Sequence, residues 1–443
     1  MTYLILIAYI SVLAFIAVRS YPKVKNYSDF FVARKKGNYF TITGSLIATI
    51  LGGSAIIGAV DDGLRIGSAT SWYLICASTG LFALVPLVSK VNSTGKFTLP
   101  EMLGEMYNKK AGKLASYVIP VAWLGIIAAQ IIAAAKVLNS FTSLSYEAGA
   151  IIAGCVFIAY TIAGGQVSIL KTDLFQAILV LTGMGIVGYY TYKAGCTSVS
   201  ENALKFPFNV NFKPVDVFIL LITYSSTFTV GPDIYSRIFC TDNKKTAVRA
   251  VLTAAIILLP VSIVVGLISF YGSNCLPLFK GGSVFIGVCN SVLPGWAVSF
   301  IVVSLLSALL SSADTTILSA SIIVTGLIEK ENYGAKTLLK TRLMIMLIGL
   351  LSIFLALNYT SVIGILLIAL TVYSGAFIIP VLFGLLKLNV NKNNVNTAII
   401  AGGIIAFTGK IISISGMTKS GNAVIISAFL LNGLILIIRR KKT

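Results

Sequence analysis

Residues 44–55 read GSLIATILGGSA, an apolar stretch that Gly52-Gly53-Ser54 interrupts in the middle of a predicted membrane helix. Paired glycines weaken a helix, and a helix interrupted inside a bilayer leaves backbone carbonyls and amides without partners. Such backbone is tolerated only where it faces protein or a water-filled cavity. The alternative interpretation is close packing of helices through small residues.

The composition of the whole chain is that of an integral membrane protein. Of its 443 residues 57% are hydrophobic and 11% are charged, and the mean hydropathy is +0.94. Soluble domains carry about 25% charged residues. Because a membrane helix needs roughly 20 largely apolar residues, the sequence predicts about thirteen spans. These are 2–18, 39–60, 68–89, 114–139, 148–163, 174–192, 215–235, 247–270, 295–328, 343–357, 361–386, 397–415 and 422–438.

The distribution of basic residues predicts the orientation. If the N-terminus is outside, 26 of the 34 Lys and Arg residues fall in segments on the inside and 7 on the outside, with Lys136 in the fourth helix. Cytoplasmic loops of membrane proteins carry this excess, so we expect the C-terminus to be cytoplasmic. The net charge of +20 therefore requires no nucleic-acid partner.

The residue types argue against several classes of enzyme. The chain has no histidine, which removes the commonest metal ligand and general base. Its six cysteines form no CxxC pair. Cys275 and Cys289 share a predicted outside loop, and whether they pair is left open. We expect no enzymatic activity and no catalytic residue.

A second interruption is predicted in the seventh helix. Residues 223–232 read TYSSTFTVGP, and the hydroxyl-rich middle and Gly-Pro end favour a kinked or broken helix. Two interrupted helices, five positions apart in helix order, are typical of an inverted-repeat transporter with a site at the membrane midplane.

The ninth span carries small and hydroxyl residues on one face. Ala308, Ser311 and Ser312 stand at i, i+3 and i+4. Their neutral oxygens would suit a hard, weakly held monovalent cation. The alternative is that the buried hydroxyls only bond to the carbonyl four residues earlier.

Three segments resemble the sodium:solute symporter family, which contains sodium/glucose, sodium/proline and choline transporters. YTIAGG at 160–165, followed by Thr172-Asp173 and Gln176, is similar to the family's YTxxGG…TDxxQ signature between the fifth and sixth helices. GPDIYSR at 231–237 resembles the segment after the broken seventh helix, and SSAD at 311–314 lies where family members carry paired hydroxyls. Together the matches cover essentially the whole chain in the right order.

The resemblance implies an all-α integral membrane protein with a leucine-transporter-like fold. Two five-helix inverted repeats would span 39–192 and 215–386 within a single transmembrane domain, 1–443. A first helix and cytoplasmic loop, 1–38, would precede them, and two helices with a basic tail, 387–443, would follow.

It also implies one co-transported sodium ion between the second and ninth helices. Its ligands would be the carbonyls of Ala48, Leu51 and Ala308 and the hydroxyls of Ser311 and Ser312. Asp173 would lie near the cytoplasmic exit of that ion. For Asp173, the sequence leaves open an end-of-helix cap or a partner of Lys171.

The chain departs from the sugar-transporting members of the family. Their amide and carboxylate positions are occupied here by Ser54, Ala55, Leu74 and Tyr224. An inner-gate tyrosine of that branch aligns with Thr227, and an aspartate of the proline-transporting branch aligns with Ile50.

Buried sugar hydroxyls without partners are costly, so we expect a small amino acid, a monocarboxylate or a similar metabolite. Amides at the helix breaks could hold a carboxylate. The residues expected beside the solute are Gly52, Gly53, Ser54, Tyr224, Ser225 and Ser226.

Two further groups of charges have two interpretations each. Asp61, Asp62 and Arg65 form either an exposed ion-pair cluster or an attractor for a charged solute. Lys136 either snorkels to the outer interface or binds an anionic substrate.

The sequence therefore predicts a sodium-coupled symporter of a small organic solute, working by alternating access in the plasma or inner membrane. We expect it to function as a monomer, with the solute, sodium and the lipid bilayer as its partners. The alternatives are a sodium-independent exchanger on the same scaffold and a membrane solute sensor.

Overall fold

The computed structural model describes residues 9, 11–12, 15–16, 27–94, 98–196, 203–276, 283–329 and 336–438. These residues are mostly helical, and their β-pairing is limited to isolated bridges such as Lys36 with Thr241. The predicted first span, 2–18, falls largely outside the described residues, and the basic end of the chain, 439–443, falls wholly outside them.

We number the α-helices of the described residues from Tyr27 onward. They are α1 Tyr27–Val32, α2 Tyr39–Ile50, α3 Ala59–Ile66, α4 Ser71–Leu84, α5 Val88–Asn92, α6 Leu99–Met106, α7 Lys109–Phe141, α8 Tyr146–Ala194, α9 Pro214–Leu220, α10 Ser226–Thr229, α11 Pro232–Ile238, α12 Lys244–Asn274, α13 Val284–Val292, α14 Gly295–Glu329, α15 Thr337–Asn358, α16 Val362–Leu385, α17 Val395–Ile414 and α18 Thr418–Ile437. Two five-residue π-helical turns, Ser54–Gly58 and Leu221–Ser225, lie beside the two interrupted regions.

Ten helical segments of the described residues are long and apolar enough to cross a membrane. Two of them contain more than one predicted span. The segment Ser54–Asn92 includes the end of the second span and all of the third, and α8 includes the fifth and sixth. The predicted count of about thirteen is therefore not confirmed.

A kink at Gly165 divides the 49-residue helix α8. A straight helix of that length would extend about 74 Å, more than twice the ~30 Å hydrocarbon core of a bilayer. Gly165 has φ +50°, and a Cβ there would lie 2.4 Å from Cδ2 of Phe30 in α1. The left-handed backbone and the close approach of α1 both require glycine at this position.

The first break lies where the sequence predicts it. Helix α2 ends at Ile50, and Leu51 and Gly52 are outside regular helix before the π-helical turn begins. A Cβ on Gly52 would lie 2.2 Å from Oγ of Ser312, and one on Gly53 would lie 2.0 Å from Cδ2 of Leu309. The glycines therefore interrupt the helix and also allow α14 to pack closely against it. The interrupted-helix interpretation and the close-packing interpretation both apply here.

The second break lies later than the hydroxyl-rich stretch. Helix α10 ends at Thr229, Val230 and Gly231 leave helical geometry, and Pro232 starts α11. The Tyr235 hydroxyl donates to the Thr229 carbonyl over 3.0 Å, and the Tyr373 hydroxyl donates to the Val230 carbonyl. Two tyrosines therefore satisfy the carbonyls that this break exposes.

The centre of the bundle is formed by α7 and α14. In their most apolar 18-residue windows, 83% and 78% of the residues are buried, against 33% in each of α15, α17 and α18. Helix α14 packs against α7, α8 and α2. The predicted ligand face of α14 is therefore at the core, whereas the late helices present apolar side chains outward.

A disulfide joins Cys196, just after α8, to Cys275, just after α12, with 5.6 Å between their Cα atoms. Cys289 is buried and free. The pairing of Cys275 with Cys289, which the sequence leaves open, is therefore excluded. The pairing depends on which helix ends are neighbours in space, and spacing in the sequence does not give this.

Candidate functional site

The predicted cation ligands lie where the end of α2 meets α14. The Ser312 hydroxyl donates to the Thr49 carbonyl over 2.6 Å and lies 3.5 Å from the Ala48 carbonyl oxygen. Ala48, Leu51 and Ala308 are all fully buried. The structure thus brings Ser312 to the carbonyl end of α2, next to the first break.

Ser311 is directed elsewhere. Its hydroxyl donates to Oδ1 of Asp173 in α8 over 2.6 Å. Asp173 is fully buried in the interior of α8, so it does not cap a helix end. A hydroxyl that donates its proton keeps its lone pairs, so the oxygens of Ser311 and Ser312 both remain able to accept a cation.

A buried ion pair, which sequence reasoning missed, adjoins Ser311. Nη2 of Arg237 lies 3.2 Å from Oδ2 of Asp173, and both side chains are at most 1% exposed. The Ser45 hydroxyl accepts from Nε of Arg237 over 2.8 Å and donates to Asp173. Nη1 and Nη2 of Arg237 also donate to side-chain oxygens of Thr49, Gln166, Ser236 and Thr315. A buried charge pair needs such satisfaction to offset its desolvation cost.

A second buried acidic side chain, Asp314, lies in this region. Its Oδ1 accepts from the Thr315 hydroxyl over 3.2 Å, and its Oδ2 has no hydrogen-bond partner among the described residues. Two acidic side chains and one guanidinium therefore share a poorly solvated interior, which would attract a cation if both acids were ionised. The sequence signal that could have revealed Asp314 was a charged residue within a predicted span, because such residues usually mark function.

A cavity of about 50 Å³ lies between the two breaks. Ser54 and Gln130 line it near the first break, Tyr224 and Asp233 line it near the second, and Ser312 adjoins both this cavity and the cation ligands. Gln130 accepts from the Gly53 amide over 2.9 Å and donates to the Ser54 hydroxyl over 3.2 Å. Sequence reasoning missed Gln130, although it partners an amide freed by the predicted break.

Only some of the residues predicted to contact the solute line the cavity. Ser54 and Tyr224 line the cavity, Gly53 reaches it through Gln130, and Gly52 packs against Ser312. Ser225 and Ser226 are buried but are not among the lining residues. The Ser226 hydroxyl instead donates to the Thr223 carbonyl over 3.0 Å, which is the local bonding common for serine inside helices.

The charges near the end of α3 form two sets of contacts. Asp62 pairs with Arg65 at 2.7 Å and accepts from the Tyr73 hydroxyl. Asp61 lies 3.3 Å from Nζ of Lys136 and accepts from the Ser283 hydroxyl at 2.7 Å. Lys136 thus has a carboxylate partner, and Asp61 links α3, α7 and the start of α13.

Comparisons with known proteins show what this chain is similar to. The model of the Sodium:solute symporter family matches residues 30–405. The sodium/proline symporter of Salmonella typhimurium is 23% identical over 419 residues, covering 87% of this chain and 83% of that protein. The corresponding protein of Haemophilus influenzae is 23% identical over 431 residues, covering the same shares.

Solved structures show the same fold. A sodium-coupled sialic acid symporter in a substrate-bound outward-open state has a TM-score of 0.76 at 17% identity, with 98% of both chains covered. A nucleobase-cation-symport-1 family transporter in a closed conformation has a TM-score of 0.60 at 13% identity, covering 92% of this chain and 93% of that one. The predicted all-helical, leucine-transporter-like fold is confirmed.

Proposed function

Because the chain belongs to the sodium:solute symporter family, we propose that it carries a small organic solute across the membrane together with sodium, by alternating access. The chain is a multi-pass membrane transporter, and sodium is its co-transported ion. The observation that carries the proposal is the contact between α2 and α14, where Ser312 meets the carbonyl end of a broken helix beside the buried acidic side chains Asp173 and Asp314.

The proposed ion site holds the two helices together. Sodium bound by the carbonyls of Ala48, Leu51 and Ala308 and the hydroxyls of Ser311 and Ser312 would favour the state that receives the solute from outside. Asp173 would receive the ion on its way to the cytoplasm. The 2.6 Å contact between Ser311 and Asp173 supports this route, because one hydroxyl adjoins both positions.

We propose that the solute binds in the cavity between the breaks. We propose an amino acid, a monocarboxylate or a similar small metabolite, and the curated relatives named above carry proline by their names. The sequence disfavours a hexose through Ala55 and Leu74, but these buried side chains do not line the cavity and so do not decide between a hexose and the smaller solutes.

We propose an outside N-terminus, a cytoplasmic C-terminus and placement in the plasma or inner membrane, with one chain as the functional unit. The disulfide supports the orientation, since Cys196 and Cys275 both fall in segments that the charge distribution puts outside. Inverted repeats over 39–192 and 215–386 remain part of this proposal.

The test is uptake of labelled proline and of other labelled small solutes into proteoliposomes that contain the purified chain. An inward sodium gradient should drive accumulation above the outside concentration, and an equal potassium gradient should not. A sodium-independent exchanger would instead swap inside for outside solute without accumulation. Binding of solute with no transport in either mode would favour a sensor.

A further inference from the structure

The cavity between the breaks contains one charged side chain among the described residues that line it, Asp233. Asp233 is the second residue of α11 and follows the Gly231-Pro232 step of the second break. Its side chain keeps some exposed surface. The helix break thus places a carboxylate at the proposed solute site.

No described residue forms an ion pair with Asp233. Arg237 stands one turn further along α11, yet its three guanidinium nitrogens bond to Asp173 and to the surrounding hydroxyl and amide oxygens. Arg237 is therefore already paired with the Asp173 carboxylate, at 3.2 Å. A carboxylate that borders a cavity without its own counter-ion is costly, and it is neutralised either by a proton or by a positively charged ligand.

Aromatic side chains complete this wall of the cavity. Trp123 is 1% exposed and lines the cavity, and its indole N–H lies close to the Asp233 carboxylate. The rings of Tyr224 and Phe228 also line the cavity, with their centroids 5.3 Å apart. Aromatic faces beside a carboxylate are the usual surroundings of a bound ammonium group.

We propose that Asp233 is the counter-ion for a positively charged nitrogen of the solute, so that the cargo is an amine. This inference rests on the transport function proposed above. A simple monocarboxylate would meet the Asp233 charge with no lining Lys or Arg among the described residues to offset it. A zwitterion avoids this problem, because its carboxylate can bond to a donor that lines the cavity, such as the Tyr224 hydroxyl, while its ammonium faces Asp233.

The charge balance of the core fits one ion and one amine. Asp173, Asp233 and Asp314 are three acidic side chains in this region, and Arg237 is the one buried guanidinium that faces them among the described residues. With all four ionised, two negative charges remain. One sodium ion and one ammonium group would neutralise them, which links the solute class to the coupling ion.

The experiment is thermal stabilisation of the purified chain in sodium chloride, with potassium chloride at equal ionic strength as the reference. The probes are the twenty common amino acids, choline, glycine betaine, lactate, acetate and glucose. The expected result is a sodium-dependent rise in melting temperature with one or more amines. The rise should be absent with lactate, acetate and glucose.

Substitution then assigns the contact to Asp233. Asp233→Asn should weaken the binding of the stabilising amine by roughly tenfold or more, and Asp233→Glu should recover part of it. The matched control is Asp242→Asn, which removes the same charge from a side chain that is 75% exposed and should leave amine binding unchanged. The stabilisation by sodium alone shows that each variant is folded.

Three results would overturn the assignment. They are stabilisation by lactate, acetate or glucose without any amine, a wild-type chain that responds to sodium but to none of the probes, and unchanged amine binding in Asp233→Asn. A wild-type chain that shows no response to sodium would refute the proposed function instead. Failure of the Asp233 assignment and failure of the proposed function are therefore distinguishable.

Discussion

The hydroxyl of Ser311 in α14 donates to the Asp173 carboxylate in α8 over 2.6 Å, inside the core. One residue later on α14, the Ser312 hydroxyl donates to the Thr49 carbonyl at the end of α2. Adjacent hydroxyls thus join α14 to two different helices. A cation shared by both would therefore influence the packing of three helices at once.

The first prediction concerns sodium affinity. Changing Ser311 and Ser312 together to Ala removes two of the five proposed ligand oxygens with little change in volume. The apparent sodium affinity of transport should fall by roughly tenfold or more, since about 1.4 kcal/mol of lost binding free energy already gives a factor of ten. Sodium titration of solute uptake measures it.

The matched control is Ser321→Ala. Ser321 is a fully buried serine of the same helix whose hydroxyl bonds to the Ile317 carbonyl. It should leave the sodium dependence unchanged. A double variant with wild-type sodium dependence would show that the ion binds elsewhere.

The second prediction concerns the buried ion pair. Arg237→Met leaves the Asp173 carboxylate buried without its partner, which should cost about 3–5 kcal/mol of folding free energy. Adding Asp173→Asn should recover part of that loss, because the unpaired charge is removed. Thermal melting of the purified variants, with and without sodium, gives the comparison.

The control is Lys35→Met, which breaks the pair of Lys35 with Asp242. These two side chains are 36% and 75% exposed, and exposed pairs contribute about 0–1 kcal/mol. Equal losses in Lys35→Met and Arg237→Met would contradict the importance assigned to Arg237.

The third prediction concerns the kink of α8. Gly165→Ala should destabilise the chain by about 1–2 kcal/mol for the left-handed backbone alone, and the methyl group would also collide with Phe30. Gly185→Ala in the same helix has no atom within 4 Å of its new methyl group. That variant should be neutral or more stable by about 0.5–1 kcal/mol. Melting temperatures in the opposite order would refute this reason for glycine at 165.

The fourth prediction concerns orientation. Cys196→Ser frees the thiol of Cys275, so a membrane-impermeant maleimide added to intact cells should label that variant and not the wild type. The double variant without both cysteines should lose the label, which identifies the reactive thiol. Labelling only after the membrane is permeabilised would place these residues on the cytoplasmic side and reverse the proposed topology.

The breaks could be predicted from the sequence because their causes are local. Glycine pairs and a Gly-Pro step weaken a helix wherever it packs, and both interruptions occur near the predicted residues. The ligand face of α14 could be predicted for the same reason, since helical periodicity alone places Ala308, Ser311 and Ser312 together.

The partners of these residues could not be predicted in this way. Gln130 contacts the amide of Gly53, 77 positions away in the sequence, and Arg237 meets Asp173 across 64 positions. Such pairs depend on how three or four helices pack. Asp233 and Asp314 were visible as charges in apolar segments, but only the structure shows that one borders the cavity and the other has a carboxylate oxygen without a partner.

The position of the cavity between two broken helices bears on the speed of the protein. Its space of about 50 Å³ holds a few water molecules, since each needs at least about 10–15 Å³ of such space. In the proposed alternating-access cycle, a solute enters or leaves this cavity only when helices around the breaks move apart. Motions of that kind occur in microseconds to milliseconds, so each passage must wait for one of them, and the turnover rate is governed by helix rearrangement rather than by diffusion through a pore.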